Sequence, residues 1–358
     1  MKLLFVDTNP ENTGAASHFV ALAQAMTAAG HQVGALVHPD GPIWHGLAHS
    51  DVRLGKATFR NAFDLRGYLA VIGAARQLGP DWLVGNSGKE YWPLILLGRL
   101  LHIPVALFRH RTPPMKRLSA WLIPRLAQRF FAVSEHARQA YLDRGVPARL
   151  VQVLYNPVNM ELCRPDPQRR RATLRALGLD EQSIVLGYSG RMHRGKGIFP
   201  LFDAVSAAMA QQPRLHCLWL GDGPDALALR ERAAADANAD RHHFLGWIPD
   251  PLPCYSTFSM LAFPSIATET FGRVSIEAQA AGVPVLGSDI GGIPETLEAG
   301  VTGLLLPPGD VAAWRDAILR LCDPDLLASM GAAAQDYVLQ HFSMPVIAAQ
   351  FLQLLGGG

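Results

Sequence analysis

Short apolar segments alternate with segments of helical periodicity along almost the whole chain, and this alternation restricts the fold more than any other feature. The first apolar run, residues 2–7, predicts a buried parallel strand. Residues 18–30 then repeat apolar side chains at helical spacing and end at Gly30, and residues 31–37 predict a second strand. Units of this kind build a parallel sheet with helices on both faces.

The alternation is interrupted once. Prolines and arginines cluster at residues 156–171, as they do in linkers between domains, and a second series begins with a strand predicted for residues 183–190. We therefore expect an α/β fold of two Rossmann-like, doubly wound domains, 1–158 and 159–341, with a final helix at about 342–358 that packs back on the first. Ligands of such sheets bind beyond the carboxyl ends of the strands, so the expected site is a central cleft that both domains face.

The composition excludes several classes of protein. A formal net charge of only +2 provides no overall field for nucleic acid, and no apolar run reaches the length of a membrane span. The opening MKLLFVD is short and contains Asp7, so we predict no signal peptide. The cysteines, Cys163, Cys217, Cys254 and Cys322, form no C-x-x-C pair, which is typical of reduced thiols in a cytoplasmic protein. We expect Cys217 and Cys254 to be buried.

The segment GYSGRMHRGKG, residues 187–197, is the first candidate for a site. A strand ends at Gly190, and two cations, Arg191 and Lys196, precede a helix that starts near Ile198. Glycine lets the backbone approach a ligand, amides at a helix N-terminus favour anions, and arginine can bind a phosphate through two hydrogen bonds. The segment is therefore either an anion-binding turn or a basic, solvated one.

The segment ETFGRVSIE, residues 269–277, is the second candidate. Glu269 follows a predicted strand, and Gly272 weakens any helix through it, so we expect the next helix to start at Ser275 or just before it. Glu277 then falls in the first helical turn, and the amides of residues 270–273 are available to a ligand. Carboxylates only accept hydrogen bonds, which suits sugar hydroxyls. The alternative is a solvated loop acid and a helix acid stabilised by the macrodipole.

The segment LFRHRTPP, residues 107–114, is the third candidate. It ends a strand of the first domain and places His110 between Arg109 and Arg111. A histidine at the carboxyl end of a strand is well placed to contact a ligand, although a lone histidine is more often structural. The arginines suit phosphate or membrane contacts better than catalysis.

These segments, in this order, resemble the retaining glycosyltransferases of family four, which have the GT-B fold. Further matching blocks are HFVALAQAMTAAGHQV, FAVSEHARQAYLDRGVP, VLYNPV, LGDGP, FLGWIPD and the segment from ETFGRVSIE to LLLPPGD. The resemblance implies a UDP- or GDP-sugar donor in the second domain, a saccharide or lipid-linked acceptor mainly in the first, and a hexosyl transfer that needs no metal or other cofactor. Relatives of this kind act in bacterial lipopolysaccharide and polysaccharide biosynthesis.

The resemblance also assigns roles to individual residues. Arg191 and Lys196 match the pair that holds the donor diphosphate and stabilises the leaving group, and Glu269 matches the acid that contacts the donor sugar. His110 matches a histidine that faces this sugar, and Gly14 matches a glycine near the phosphates. The implied catalytic residues are His110, Arg191, Lys196 and Glu269.

Other positions match the remaining parts of a donor site. Phe271 and Gly272 match backbone donors to sugar and phosphate, Glu277 matches the acid on the ribose, and Trp247 and Ile248 border the nucleobase. The implied donor-binding set is Gly14, Gly190, Arg191, Lys196, Trp247, Ile248, Glu269, Phe271, Gly272 and Glu277.

Two features stand outside this pattern. The family often has a Gly-Gly pair in the first loop, where this chain has Thr13 before Gly14. Arg273 receives no role and is expected to be solvated. No dedicated nucleophile is apparent, so the departing phosphate is the expected acceptor of the proton.

Residues 110–131 combine cations with apolar side chains. Leu118, Leu122 and Leu126 recur at a spacing of four, on one face of a helix that Pro124 is expected to kink. Such a helix either lies on an anionic membrane, here the inner face of the cytoplasmic membrane, or packs in the core with solvated arginines. The membrane-contact candidates are Lys116, Arg117, Trp121 and Arg125.

Three other functions are weighed against transfer to a saccharide. A GT-B nucleotide-sugar epimerase needs acid and base groups at the sugar ring, and the ETFG pattern is not expected there. A glycosyltransferase of the same fold that acts on glycolipids or small molecules remains open. A dinucleotide-dependent enzyme is disfavoured because no G-x-G-x-x-G follows the first strand.

Overall fold

The computed structural model describes residues 1–11, 13–39, 41–111 and 115–356. It divides the chain into two compact units. Unit 1 contains Met1–Pro157 together with the segment that starts at Ser343, and unit 2 contains Val158–Phe342. Each unit is built around its own parallel sheet.

The described residues of unit 1 form a sheet of seven parallel strands in the order β3-β2-β1-β4-β5-β6-β7. The strands are β1 (Lys2–Asp7), β2 (Gln32–Val37), β3 (Arg53–Lys56), β4 (Trp82–Gly85), β5 (Val105–Arg109), β6 (Arg129–Ala132) and β7 (Gln152–Val153). The helices are α1 (Gly14–Ala28), α2 (Pro42–Leu47), α3 (Leu65–Leu78), α4 (Tyr91–Leu101), α5 (Arg117–Leu126), α6 (Glu135–Leu142) and, from the C-terminal segment, α15 (Met344–Leu355).

Successive side chains of β1 point to opposite faces of this sheet, and both faces are buried. Leu3 and Phe5 pack in one apolar cluster, whereas Leu4 and Val6 pack in the other. Phe351 of α15 belongs to the first cluster, where its ring lies 6.5 Å from that of Phe5. Phe351 is fully buried, so its truncation to alanine would cost about 3–5 kcal/mol of stability. The C-terminal helix is therefore a structural part of unit 1.

Unit 2 contains a sheet of six parallel strands among its described residues, in the order β10-β9-β8-β11-β12-β13. The strands are β8 (Ile184–Ser189), β9 (Leu215–Leu220), β10 (His242–Gly246), β11 (Met260–Phe263), β12 (Val285–Ser288) and β13 (Gly303–Leu306). The helices are α7 (Met160–Cys163), α8 (Pro167–Ala176), α9 (Ile198–Met209), α10 (Ala226–Ala234), α11 (Leu252–Tyr255), α12 (Arg273–Ala280), α13 (Val311–Arg320) and α14 (Pro324–His341).

The segment interpreted as a linker is largely helical. Residues 156–171 include α7 and the start of α8, which Asp166 caps by accepting a hydrogen bond from the Arg169 amide at 2.9 Å. Leu174 then packs in the core of unit 2. Pro167 lies in the first turn of α8, where proline is favoured, and not in an extended connection.

Each sheet has one place where the chain reverses its direction of winding. In unit 1 this point lies between the neighbouring strands β1 and β4, and in unit 2 it lies between β8 and β11. The loops that leave two such strands diverge to opposite faces of the sheet and leave a crevice at the carboxyl edge. Both crevices contain residues with ionisable side chains.

Cys254 is half-buried rather than buried, whereas Cys217 is fully buried as predicted. Burial raises the pKa of all four cysteine thiols, to about 12 for Cys163 and about 11 for Cys322. In the part of the chain that the structure describes, no helix combines the length and the apolar character that crossing a membrane requires.

Candidate active site

Two loops meet at the winding reversal of unit 2. One is the turn from Gly190 to Gly197, after β8, and the other runs from Pro264 to Gly272, after β11. The carbonyl of Gly195 accepts hydrogen bonds from the amides of Ile266 and Ala267, both at 3.0 Å. These bonds hold the basic turn against the loop that carries Glu269.

Gly197 is required by the close approach of these loops. Its φ is +68°, and a Cβ at this position would lie 1.9 Å from the carbonyl oxygen of Pro264. Only glycine can occupy this place without moving the backbone. The same residue starts α9 at Ile198, as the sequence predicted.

Lys196 and Glu269 form an ion pair in this crevice, from positions 73 residues apart. The Ser265 hydroxyl donates a second hydrogen bond to the same Glu269 oxygen, at 2.7 Å. The Lys196 ammonium also lies 5.9 Å from the centre of the Phe263 ring. Glu269 is therefore held by a cation from the turn after β8 and is not the solvated loop acid of the alternative interpretation.

Arg191 has an exposed side chain that takes part in no ion pair within the described residues. Its backbone is fixed, because its carbonyl accepts a hydrogen bond from the Tyr188 hydroxyl at 3.0 Å. Gly190, directly before it, has a φ of +156° and follows the end of β8. The turn thus presents an available guanidinium beside a paired ammonium.

Gly272 makes the transition from this loop to α12. Its φ is +127°, and a Cβ there would lie 2.4 Å from the Phe263 ring. The described residues give α12 no side-chain cap, so the first-turn amides, from Arg273 onwards, are not satisfied in that way. Phe271 is buried, with its ring 5.8 Å from that of Phe342.

Glu277 lies in the second turn of α12, because the helix starts at Arg273, just before Ser275. The predicted first-turn position and its macrodipole interpretation are therefore wrong. The Glu277 carboxylate accepts hydrogen bonds from Arg273 at 2.8 Å and from the Tyr255 hydroxyl at 3.3 Å. Tyr255 also contacts the Ser189 hydroxyl at 3.2 Å, which ties Glu277 to the end of β8.

Arg273 is not solvated as expected. Its side chain is 20% exposed and pairs with that of Glu277, which is 11% exposed. The Nη1 atom of Arg273 is buried and has no hydrogen-bond partner among the described residues. The i,i+4 spacing of an arginine and a glutamate could have indicated this pair from the sequence.

Trp247 and Ile248 follow β10, at the edge of the sheet. Trp247 is exposed, and Ile248 is half-buried and packs against the unit 2 core. The end of β10 is joined to the end of β9 by a hydrogen bond from the Gly221 amide to the Gly246 carbonyl at 2.7 Å.

In unit 1 the first loop ends at α1, which begins at Gly14. Thr13 is the N-cap residue, with extended backbone, and its hydroxyl accepts a hydrogen bond from the Ala16 amide at 3.4 Å. Threonine is a favoured N-cap residue. The departure from a Gly-Gly pair therefore gives this helix a defined start.

His110 follows β5 and is held by residues that the sequence analysis did not identify. Its Nε2 atom lies 2.7 Å from Asn86 Oδ1, and Asn86 Nδ2 donates to Asp7 Oδ2 at 2.6 Å. Asn86 follows β4 and Asp7 is the last residue of β1, and these two strands are neighbours in the sheet. Their positions at predicted strand ends were the available signal. The third candidate segment continues through residues 112–114, which lie outside the described residues.

Glu90 is a fully buried carboxyl group beside this network. Its Oε1 atom accepts hydrogen bonds from the Thr8 amide at 2.9 Å and the Thr8 hydroxyl at 2.5 Å. Its Oε2 atom has no partner within the described ranges. Burial, followed by the charge of Asp7, raises the pKa of Glu90 to about 7, and burial likewise raises the pKa of Asp7.

The basic helix α5 has both a buried and an exposed side. Ala120 and Ile123 are buried, whereas Lys116, Arg117 and Trp121 are exposed. The Arg125 guanidinium stacks 4.2 Å from the centre of the Trp121 ring and donates to the Gly145 carbonyl at 3.3 Å. Among the described residues, no three histidine, cysteine or acidic side chains are grouped as metal ligands would be.

The chain matches two family models that together cover most of its length. The one described as "Glycosyltransferase Family 4" matches residues 12–162, and the one described as "Glycosyl transferases group 1" matches residues 183–324. The 2-deoxystreptamine N-acetyl-D-glucosaminyltransferase of Streptomyces fradiae is 30% identical over 318 residues, which are 75% of this chain and 72% of that protein. The chain belongs to glycosyltransferase family 4.

Another family 4 relative is the D-inositol 3-phosphate glycosyltransferase of Kribbella flavida. It is 32% identical over 281 residues, 72% of this chain, and the match spans 65% of that relative, which is less than two thirds of its length. Among solved structures, Anabaena Alr3699/HepE in complex with UDP and glucose is similar over 100% of both chains, with a TM-score of 0.82 and 23% identity. That likeness shows the fold, which is GT-B, as predicted.

Proposed function

We propose that this family 4 protein is a retaining, metal-independent hexosyltransferase that moves a sugar from a UDP- or GDP-sugar to a hydroxyl of a saccharide or lipid-linked acceptor. The observation that carries the proposal is the Lys196–Glu269 pair at the winding reversal of unit 2. It places a cation for a diphosphate directly beside an acceptor for sugar hydroxyls. Neither group alone would favour a nucleotide sugar over a simple anion.

The diphosphate is assigned to the turn after β8. Arg191 offers a guanidinium with no ion pair among the described residues, and Gly190 lets the ligand approach the backbone. Lys196 can exchange its glutamate partner for a phosphate oxygen. As the sugar leaves, negative charge grows on the diphosphate, and two cations fixed in place stabilise that charge more than they stabilise the bound donor.

The two glutamates are assigned to the two sugars of the donor. If Lys196 turns to the phosphates, Glu269 keeps the Ser265 hydrogen bond and its remaining lone pairs accept from hydroxyls of the transferred hexose. Glu277 already accepts two hydrogen bonds, and a carboxylate has about four acceptor positions, so two remain for the ribose hydroxyls. Phe271 and Gly272 contribute backbone amides between the two.

The remaining predicted residues complete the proposal. Trp247 and Ile248 border the nucleobase, His110 contacts the transferred sugar, and Gly14 approaches the phosphates. Unit 1 supplies most of the acceptor site and unit 2 the donor site. Glu269 is not a covalent nucleophile in this scheme; the leaving phosphate takes the proton of the acceptor hydroxyl, and the product keeps the configuration of the donor.

The proposal is tested by replacing Glu269 with alanine. We expect Glu269→Ala to lower sugar transfer by about 10²-fold or more, because contacts at the reacting sugar act in the transition state. Glu231→Ala, at an exposed position of α10, is the matched control. Donors are first identified by the thermal shift that each nucleotide sugar produces. Unchanged turnover of Glu269→Ala would refute the assigned role.

An epimerase would give a different result in the same assay. Incubated with labelled nucleotide sugar and no acceptor, a transferase releases free sugar slowly, whereas an epimerase accumulates an isomeric nucleotide sugar. The appearance of that isomer would replace the proposed reaction with the alternative one.

We further propose that unit 1 binds an anionic membrane surface, which suits a lipid-linked acceptor of bacterial lipopolysaccharide or polysaccharide biosynthesis. Helices α3, α4 and α5 contact one another in sequence order and expose large apolar side chains. These are Leu65, Leu69, Leu96, Leu100, Leu118 and Trp121. Arg117 of α5 and Lys116, its N-cap residue, are exposed next to Leu118, so apolar insertion and attraction to anionic headgroups act together.

Vesicle sedimentation tests this surface. The protein is expected to sediment with vesicles that contain anionic lipid and not with neutral ones, and Leu118→Ser with Trp121→Ser should weaken that binding. Leu227→Ser, at an exposed position of α10 in unit 2, is the control. Equal partition to both kinds of vesicle would contradict the proposal.

A further inference from the structure

The basic turn after β8 also contacts a third loop, residues 221–225, which follows β9 and contains most of the LGDGP block. The Met192 amide donates to the Asp222 carbonyl at 2.9 Å, and the Asp225 amide donates to the Met192 carbonyl at 3.1 Å. A Cβ at Gly223 would lie 2.3 Å from that Met192 carbonyl oxygen, so only glycine permits this approach. Because β8 lies between β9 and β11 in the sheet, loops on both sides hold the turn.

Asp225 is the N-cap residue of α10, but its side chain makes no hydrogen bond to that helix within the described residues. Aspartate is favoured at an N-cap because its carboxylate accepts from an amide of the first helical turn. Asp310 and Asp323, the N-cap residues of α13 and α14, do so. The Asp225 Oδ2 atom instead accepts from the Arg194 amide at 2.8 Å, across 31 positions. Its side chain therefore serves the basic turn and not α10.

The Arg194 amide stands at the start of a single helical turn, Arg194–Lys196. Amides at the start of a helix have no partner inside the helix, and the Asp225 carboxylate satisfies this one. A bond from an amide to a charged acceptor is stronger than one to a neutral acceptor. The Asp225 side chain is only 20% exposed, which limits competition from water. The bond therefore fixes the backbone two residues before Lys196.

The negative charge of Asp225 would by itself oppose an anion bound at this turn. The Arg194 guanidinium offsets it, with its Nε atom 3.4 Å from Asp225 Oδ1. The Arg194 side chain is 81% exposed, however, and such an ion pair contributes little. The bond to the backbone amide is therefore the contact that accounts for an aspartate at this position.

We propose that Asp225 is a positioning residue that, through the Arg194 amide, fixes the turn carrying Arg191 and Lys196 in the arrangement that binds the donor diphosphate. The inference rests on the proposed assignment of the diphosphate to this turn, and it adds the residue that holds the two cations in place. Asp225 itself contacts no ligand in this scheme. The contacts that carry the inference all lie within unit 2.

Hydrogen exchange of the full chain, measured without ligand, tests the structural half. We expect Asp225→Ala to speed exchange of the Arg194 amide by about tenfold or more, because this amide loses its acceptor. Asp225→Asn keeps a side-chain oxygen that can accept, so it should restore slow exchange. Asp323→Ala removes a cap from α14 in the same unit and should leave the turn unchanged. Unchanged exchange in Asp225→Ala would overturn the inference.

Binding of UDP and GDP, measured by calorimetry, tests the functional half. Asp225→Ala should weaken the binding of both nucleotides by about tenfold, and Asp225→Asn by no more than about threefold. Arg194→Ala keeps the backbone amide and should also stay within about threefold of the wild type. Wild-type affinity in Asp225→Ala, or an equal loss in Arg194→Ala, would overturn the role of the amide bond.

A double-mutant cycle separates positioning from general destabilisation. If Asp225 acts by placing Lys196, the affinity lost in Asp225→Ala with Lys196→Ala is smaller than the product of the two single losses. Losses that multiply would overturn the inference. Absence of UDP and GDP binding to the wild type would instead overturn the proposed donor site and leave the exchange result standing, so the two failures are distinguishable.

Discussion

Each unit has its crevice at the winding reversal of its sheet, but different chemical groups join the loops there: backbone groups in unit 2 and side chains in unit 1. In unit 2 the loops approach through glycines: a Cβ at Gly197, Gly221 or Gly292 would lie within 2.3 Å of a carbonyl oxygen of another loop. In unit 1 the strand ends are joined by side chains, chiefly Asn86 and Glu90. In unit 2 the close approach of the backbone exposes amides and leaves room for a ligand. In unit 1 the side chains occupy the crevice and affect the protonation of the ionisable groups in it.

The ionisable groups of the two crevices also differ between the units. Unit 2 pairs opposite charges: Lys196 pairs with Glu269, and Arg273 pairs with Glu277. Unit 1 buries two like-charged carboxyl groups, Asp7 and Glu90, whose pKa values are raised. Opposite pairs can exchange partners with a charged ligand at small cost, while a buried like-charged pair resists a second ionisation. Four substitutions test this contrast, from the largest expected effect to the smallest.

Gly197→Ala tests whether unit 2 depends on backbone approach. The added Cβ would meet the Pro264 carbonyl, and the positive φ adds strain, so we expect a loss of about 3–5 kcal/mol in the free energy of unfolding. Gly178→Ala has a φ of +73° and no atom within 4 Å of the new Cβ, and should cost only about 1 kcal/mol. Similar losses in denaturant titrations of the two variants would contradict the role of close approach.

Lys196→Ala tests the exchange of ion-pair partners. Removal of the ammonium should lower kcat by about 10²–10³-fold, because the charge that develops on the leaving diphosphate loses a fixed cation. Arg194→Ala is the matched control, since Arg194 lies in the same turn, is exposed and pairs with Asp225. Steady-state rates that fall equally in both variants would mean that the turn contributes only general positive charge.

Glu90→Gln tests the buried carboxyl pair of unit 1. Because the pKa of Glu90 is raised from 4.5 to about 7, the folded state binds more protons than the unfolded state between these values. Wild-type stability should therefore fall as the pH rises from about 4.5 to about 7, by about 3 kcal/mol from this group, and change little above that.

In Glu90→Gln the part of this fall that comes from Glu90 should disappear and the part that comes from the raised pKa of Asp7 should remain, which chemical denaturation at pH 5, 6, 7 and 8 measures. Glu231→Gln, an exposed acid in unit 2, should reproduce the wild-type profile. A Glu90→Gln profile parallel to that of the wild type would show that Glu90 does not titrate in this range.

Arg273→Met tests the Arg273–Glu277 pair of unit 2, for which we expect the smallest effect. Glu277 would keep only the Tyr255 hydrogen bond and would orient less well towards the ribose. We expect the donor KM to rise by about three- to tenfold with little change in kcat, since the ribose is remote from the reacting bond. A fall in kcat with constant KM would instead place Arg273 at the chemical step.

The predictable parts of the site are those in which neighbours in sequence act together. Gly190, Arg191 and Lys196 share one turn, and Glu269 and Gly272 share one loop, so their residue types and the helix start at Ile198 were accessible from the pattern. Helix boundaries that depend on tertiary packing were harder to predict from the sequence. Glu277 falls in the second turn of α12 and not in the first, and the segment taken as a linker contains α7 and the start of α8.

Asn86 and Glu90 could not be assigned from the sequence, because each acts on a partner about 80 residues away. Asn86 bonds Asp7 across 79 positions and Glu90 bonds Thr8 across 82. The distance in space depends on β1 and β4 being neighbours. Strand–helix alternation predicts that the strands are parallel and leaves their order open.

By itself, the sequence determined the two series of strands and helices, the basic glycine turn after β8 and the ETFG loop after β11, since each is encoded in a contiguous stretch. The tertiary structure alone decided that Lys196 pairs with Glu269, that Pro264 makes Gly197 obligatory, and that Asn86 contacts His110. The physical reason is that strand order brings distant strand ends together at one edge, and only there do charge, burial and hydrogen-bond direction act on one another.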